Sequence, residues 1–149
     1  MLVENLMGVE ALASGADVRV VLEAKDFAGL AAGASQVLEL FPVKRGEAVE
    51  LVGAYLPEAF ASSGDDTIAS AKVSLGDGVD AVRYLAATEM LGKAALVNAS
   101  AGTGTRFAYT ADDTVDASIA VTDAKNVNAL DKGRLLMLFR RIRLAQFQG

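Results

Sequence analysis

The chain contains no cysteine, no histidine and no tryptophan, and only two prolines in 149 residues. Each absence removes a class of chemistry. Without cysteine there is no disulfide support and no thiol nucleophile, a composition that fits assembly in a reducing cytosol. Without histidine the usual general base near neutral pH and the commonest transition-metal ligand are missing, so Ser-His-Asp, Cys-His and His-rich zinc arrangements are impossible. No apolar run reaches the roughly 18 residues that a membrane span requires. Residues 1–16 carry Glu4 and Glu10 but no early Lys or Arg, unlike a secretory signal.

What is present is an acidic chain with a basic end. The formal net charge is −5, yet after Asp131 no acidic residue follows, while Lys132, Arg134, Arg140, Arg141 and Arg143 do. The acidic balance argues against nucleic-acid binding, and a local basic strip suits an acidic protein surface. A length of 149 residues fits one domain, which at this size buries about 70% of its unfolded-chain surface and needs no staples.

Apolar alternation with period two dominates the pattern. Residues 1–16, with Leu2, Leu6 and Val9 before Ser14-Gly15, read as a short amphipathic helix or an arm, lying on its own domain or on a neighbour; residues 17–149 read as one sandwich. Val18, Val20 and Leu22 alternate with Asp17, Arg19 and Glu23 as in a half-buried strand. Lys25 to Ala34, rich in Ala and Gly, predicts an irregular crossing. Ser35 to Leu56 places Val37/Leu38/Leu40 and Val49/Leu51 around Lys44-Arg45-Gly46-Glu47, which predicts two antiparallel strands joined by a tight turn, with Pro42 marking a sheet edge. Thr67 to Leu75 reads as a strand. Ala81 to Leu91, with Val82 and Leu85 at helical spacing after an Asp80 N-cap, reads as a short helix or turn. Ala94–Asn98 and Arg106–Thr110 are strand candidates, and the latter, through Ala111-Asp112-Asp113, predicts a second hairpin with Thr114–Thr122. Arg134 to Phe147 reads as a central strand in preference to a helix. The sum predicts an all-β, single-domain β-sandwich of jelly-roll type, with about eight strands, one short helical insertion and an N-terminal arm.

Few residues invite chemistry. Asp65/Asp66, Asp77/Asp80 and Asp112/Asp113 have the oxygens a hard cation takes, but Asp is also the ordinary turn residue, and turn chemistry is the preferred reading. Gly102-Thr103-Gly104 lacks the lysine of a phosphate loop and reads as a plain loop. Arg140, Arg141 and Arg143 have no interleaved aromatic platform for nucleic acid, so they read as a solvated strand end or a salt-bridging rim at a protein interface. No catalytic residue, cofactor or metal ligand is expected.

Two resemblances follow from these residues. Gly78, Asp80 and Tyr84 resemble positions of a motif in trimeric dUTP nucleotidohydrolases, also jelly rolls; there the Asp orients the attacking water and the Tyr-bearing hairpin holds the deoxyribose. That family's Arg-Ser-Ser phosphate motif and Gly-rich tail are absent here. The broader pattern, V-L-E-L-F-P-V-K-R-G-E-A-V-E-L-V through T-I-A-S-A-K-V-S-L-G-D-G-V-D-A-V-R-Y-L and F-A-Y-T-A-D-D-T-V-D-A-S-I-A-V to L-L-M-L-F-R-R-I-R-L, looks like capsid decoration or cement proteins of tailed bacteriophages. The resemblance implies a non-enzymatic homotrimer, assembled in the host cytoplasm and bound to the major capsid protein on the virion exterior, with Leu2, Leu6, Met7, Arg140, Arg141 and Arg143 as capsid-interface candidates. The alternative is a head-fibre or carbohydrate-binding module, using Phe60, Tyr84 and Tyr109 as exposed stacking aromatics.

Overall fold

A computed structural model describes residues 1–8, 15–92, 95–97, 106–122 and 124–143, with only the backbone described for 95–97. The Gly102-Thr103-Gly104 loop, Val9 and the chain beyond Arg143 lie outside the described residues. The strands are β1 (Leu2–Asn5), β2 (Val18–Glu23), β3 (Ser35–Val43), β4 (Glu47–Ala61), β5 (Ala71–Asp77), β6 (Leu85–Glu89), β7 (Ala95–Val97), β8 (Phe107–Ala108), β9 (Asp113–Val121) and β10 (Lys132–Arg143). A single helical turn, α1 (Lys25–Ala28), and a 3-10 turn at Val127–Ala129 complete the elements.

The strands form two antiparallel sheets. One runs β1-β2-β10-β4-β7 with β8 also on β4; the other runs β3-β9-β5-β6. With β1 set aside and β7 and β8 counted as one broken strand, chain order reads 1-8-3-6 in the first sheet and 2-7-4-5 in the second. That is the strand order of a jelly roll. The central strand is β10, as its apolar density predicts: it pairs with β2 on one side and β4 on the other.

The inward faces follow the alternation. Val18, Val20 and Leu22 from β2, Leu135, Met137 and Phe139 from β10, and Val115, Ala117 and Ile119 from β9 are all buried. Phe139 links the sheets edge-to-face: its ring centroid lies 5.2 Å from that of Phe41 on β3 and 6.1 Å from that of Tyr84 beside β6. Removing so large a buried ring costs about 3–5 kcal/mol. At the opposite end of the sandwich, Phe27 of α1 is buried against Phe60, centroids 6.2 Å apart. The Lys25–Ala34 crossing thus contains a helical turn that its Ala/Gly composition hid, held by one buried ring.

Three local expectations are corrected. The Ser35–Leu56 segment is not a hairpin: β3 pairs with β9 and β4 with β10, so the Lys44-Arg45-Gly46-Glu47 turn carries the chain from one sheet to the other. The Arg106–Thr122 hairpin fails the same way, since β8 pairs with β4 and β9 with β3 and β5. Finally, Ala81–Leu91 is not helical. After a turn at Asp80–Arg83 it enters β6, which pairs with β5 through Leu75↔Leu85 and Val73↔Thr88. The i, i+3 spacing of Val82 and Leu85 fits a turn followed by a strand as well as a helix, and pairing with β5 decides. Pro42 does sit on an edge strand, since among the described residues β3 has β9 as its single neighbour.

Candidate functional site

The register collects the notable side chains at one end of the sandwich. Arg143 on β10 pairs with Glu47 at the start of β4, Val43 at the end of β3 with Asp113 at the start of β9, and Asp77 at the end of β5 with Val115. The Lys44–Glu47 corner, the Thr110–Asp112 corner, the Gly78–Tyr84 loop and the approach to β2 therefore lie together.

The centre of this end is a polar knot around Asp77, whose side chain is 0% exposed. Asp77 Oδ1 accepts from the backbone N–H groups of Val79 at 3.0 Å and Asp80 at 2.8 Å. Its Oδ2 accepts from Arg83 Nε at 2.5 Å and from the Tyr109 hydroxyl at 2.9 Å. The Tyr84 hydroxyl lies 2.6 Å from that of Tyr109. The Arg83 guanidinium in turn lies 3.5 Å from the centre of the Phe107 ring, a cation–π contact that anchors it. Burial alone would raise the Asp77 carboxyl, but the hydrogen bonds from Arg83, Asp80, Val79 and Tyr109 outweigh it and hold the pKa below its ordinary value. The hydrogen bond to Asp77 raises Arg83. Burial pushes Tyr84 up to about 12 and Tyr109 well above the ordinary phenol range. Both tyrosines are therefore neutral hydroxyls, and the hydrogen bond between them links the two sheets.

The knot makes the loop above it rigid. Gly76 is buried on β5 where the Gly78–Tyr84 loop folds back over it, leaving no room for a side chain: a Cβ there would stand 2.6 Å from the Ala81 carbonyl oxygen. Asp113 Oδ1 accepts from Gly78 N at 3.3 Å and Thr114 N at 2.8 Å, and Asp80 Oδ1 from Val82 N at 3.0 Å. Out of this braced loop project Val79, 85% exposed, and Val82, 45% exposed. Below Val79 a hollow of about 250 Å³ runs between Arg83, Phe107, Tyr109 and Asp112.

The neighbouring corner is tied down similarly. Gly46, at φ 88°, gives the Lys44–Glu47 turn its left-handed residue, and its N–H donates to Tyr109 O at 2.9 Å. Arg45 N donates to Asp112 Oδ1 at 2.9 Å, and Lys44 Nζ approaches Asp112 Oδ2 at 3.5 Å. Asp65 likewise accepts from Thr67 N at 3.0 Å. Members of all three acidic pairs thus cap turns. Glu47, beside Tyr109, keeps its Oε2 buried with no hydrogen-bond partner among the described residues.

The interface candidates separate. Met7, 80% exposed, joins the end where Arg140, Arg141 and Arg143 emerge: Leu6 N donates to Asp17 O at 2.7 Å, Arg141 N to Asp17 Oδ1 at 2.8 Å, and Arg140 Nε to Gly15 O at 2.8 Å. Leu6 is buried and fastens the arm to its own sandwich. Leu2 lies away from this end, on the outer face of the first sheet opposite Val21. The arginines are also less free than a basic strip implies, because Glu50 sits 3.3 Å from Arg140 and 3.7 Å from Arg106, and Glu47 4.0 Å from Arg143.

The aromatics expected at a sugar-stacking surface are internal: Phe60, Tyr84 and Tyr109 are buried. Strand alternation already places Phe60 and Tyr109 beside apolar positions, whereas Tyr84 escapes that pattern because its segment reads as helical. Sequence reasoning missed Val79 and the Asp77–Arg83–Tyr109 knot. An exposed valine between Gly78 and Asp80 was a visible signal, whereas Tyr109 approaches Asp77 only once β8 and β5 face each other across the sandwich.

Compared with protein-family models, with curated proteins and with solved structures, the chain matches none.

Proposed function

We propose that this chain is a non-enzymatic virion structural protein that caps the outer surface of a tailed-phage head and clamps neighbouring capsid subunits. The observation that carries the reading is that exposed apolar residues, Val79, Val82 and Met7, share one end of the sandwich with the arginines Arg140, Arg141 and Arg143 of β10. Exposed apolar side chains interspersed with arginines are the composition of a protein–protein contact. Its rigidity limits the ordering cost that association must meet. A protein that binds the assembled lattice and not the free subunit stabilises the shell by mass action. Contacts with several neighbouring subunits then act at high effective concentration, so each can be modest.

The dUTP hydrolase reading finds little to work with. Asp80 is occupied by Val82 N, and Tyr84 is buried with its hydroxyl turned to Tyr109. The test is first whether a major capsid protein is encoded beside this reading frame, and then co-sedimentation of the purified protein with expanded shells built from it, with free capsid subunits as comparison. Pelleting with shells and not with subunits is expected; failure to pellet with shells at low and at high salt alike rejects the proposal.

A further inference from the structure

The outer face of the first sheet carries a second apolar surface, separate from the arginine end. One cross-strand row reads Leu2, Val21, Leu136, Tyr55 across β1, β2, β10 and β4, each directly opposite the next in the register. Leu2 is 50% and Tyr55 46% exposed. Leu138, next along β10, lies over Gly53 and extends the patch. Two hollows flank Tyr55, one of about 130 Å³ against Leu138 and Gly53, the other of about 280 Å³ against Val21 and Pro57. A continuous apolar row across four strands marks a contact surface.

The charges around the row decide what covers it. On one side, in register, stand Glu23, Arg134 and Glu58; on the other stand Glu4 and Arg19, with Leu138 next to them. On β2 alone the outward sequence is Arg19, Val21, Glu23: opposite charges equally spaced about the apolar row, Arg19 bonded within the chain to Glu4 and Glu23 to the exposed Lys25, both at a surface where a second partner can share them. We infer that a second copy of this chain docks here, face to face, about a twofold axis that lies in the interface and runs across the strands along the apolar row. That operation returns each strand onto its own copy with direction reversed. Leu2, Val21, Leu136 and Tyr55 meet themselves, Arg19 meets Glu23 of the second copy and Glu23 its Arg19, and on β10 Leu138 meets the aliphatic stem of Arg134, whose guanidinium stays beside Glu23 and Glu58 of its own copy. A twofold along β10 instead sets Arg134 on Arg134 and Glu23 on Glu58, which like-charge repulsion disfavours. Identical surfaces meeting about a twofold are self-complementary in this way. The hollows beside Tyr55 leave room for the two rings to stack with an offset. The inference uses none of the residues of the arginine end and stands apart from the capsid reading; it gives a dimer where the phage resemblance implies a trimer.

Sedimentation velocity of the full chain over a dilution series tests it without any capsid present. The wild type is expected to interconvert between monomer and dimer. Tyr55→Lys, at an exposed strand position, is expected to be monomeric with an unchanged circular dichroism spectrum. Glu23→Arg and Arg19→Glu each set like charges opposite, so each alone is expected to dimerise roughly tenfold or more weakly. Mixed together they are expected to recover wild-type association, because in the heterodimer both arginines of the first variant face glutamates of the second. A wild type that is monomeric at every concentration, a trimer, or a dimer indifferent to Tyr55→Lys and to charge reversal overturns the inference.

Discussion

Asp77 and Asp116 sit close together across β5 and β9, with Gly76 directly opposite Asp116, and they respond to acid in opposite senses. Asp77 is held below its ordinary value of 3.8 by its donors. Its ionised form therefore stabilises the fold at pH values above 3.8, and that stabilisation is lost as the pH falls through the lower folded value. Asp77→Asn is expected to cost roughly 1.5–3 kcal/mol at neutral pH, the range of hydrogen bonds to a charged group. Urea denaturation should show that deficit shrinking once the pH drops well below 3.8. Asp116 is raised instead, first by burial and then by the charges of Glu39, Asp113 and Asp77, against the opposing hydrogen bond from Thr114. Its stabilising contribution is complete below 3.8 and is lost as the pH rises through the higher folded value. Asp116→Asn keeps an oxygen for the Thr114 hydroxyl and removes the buried charge. It is expected to raise the urea midpoint at pH 7, with the gain vanishing in acid; a lower midpoint at pH 7 would contradict this account of the site.

At the scale of elements, the loop between β5 and β6 shows how backbone packing constrains sequence. A Cβ on Gly76 would meet the Asp80 and Ala81 backbone, which cannot swing aside like the end of a side chain, so Gly76→Ala is expected to destabilise by about 1–3 kcal/mol. Gly64, where a Cβ would meet nothing within 4 Å, is the control: alanine there should be neutral or slightly stabilising in thermal melts. The same elements show what was legible. Period-two alternation identifies β2, β4 and β9, and apolar density identifies β10, because burial is a local, residue-by-residue property. Partnership is not local. In a jelly roll successive strands mostly cross between sheets, so the tight turns at Lys44–Glu47 and Ala111–Asp113 look like hairpin turns while their strands pair elsewhere. The β5–β6 pair is a true neighbour pairing in chain order, and it is where the spacing reads as helical. The site was legible only in part: Met7 and the arginines stand out in the sequence, whereas Val79 and Val82 become notable once Asp77 is seen to brace their loop.

For the whole molecule the two surfaces are predicted to act independently. The arginine end lies at the ends of the strands, and the apolar row lies on their outward flank, so a change in one leaves the other's geometry intact. Val79→Asp/Val82→Asp puts two charges on exposed positions whose backbone amides, not side chains, are engaged in the turn. It should leave the melting temperature within a degree or two, abolish pelleting with expanded shells, and leave the dimer seen by sedimentation velocity unchanged. Tyr55→Lys should give the reverse pattern, a monomer that still pellets with shells, though less tightly because one of two linked attachment points has gone. If the valine variant loses both properties while remaining folded, the two surfaces are one interface, and the separate assignment of shell contact and self-association is wrong. If it loses neither, the braced loop is not where the shell is held, and attachment has to be sought among Met7 and the arginines alone.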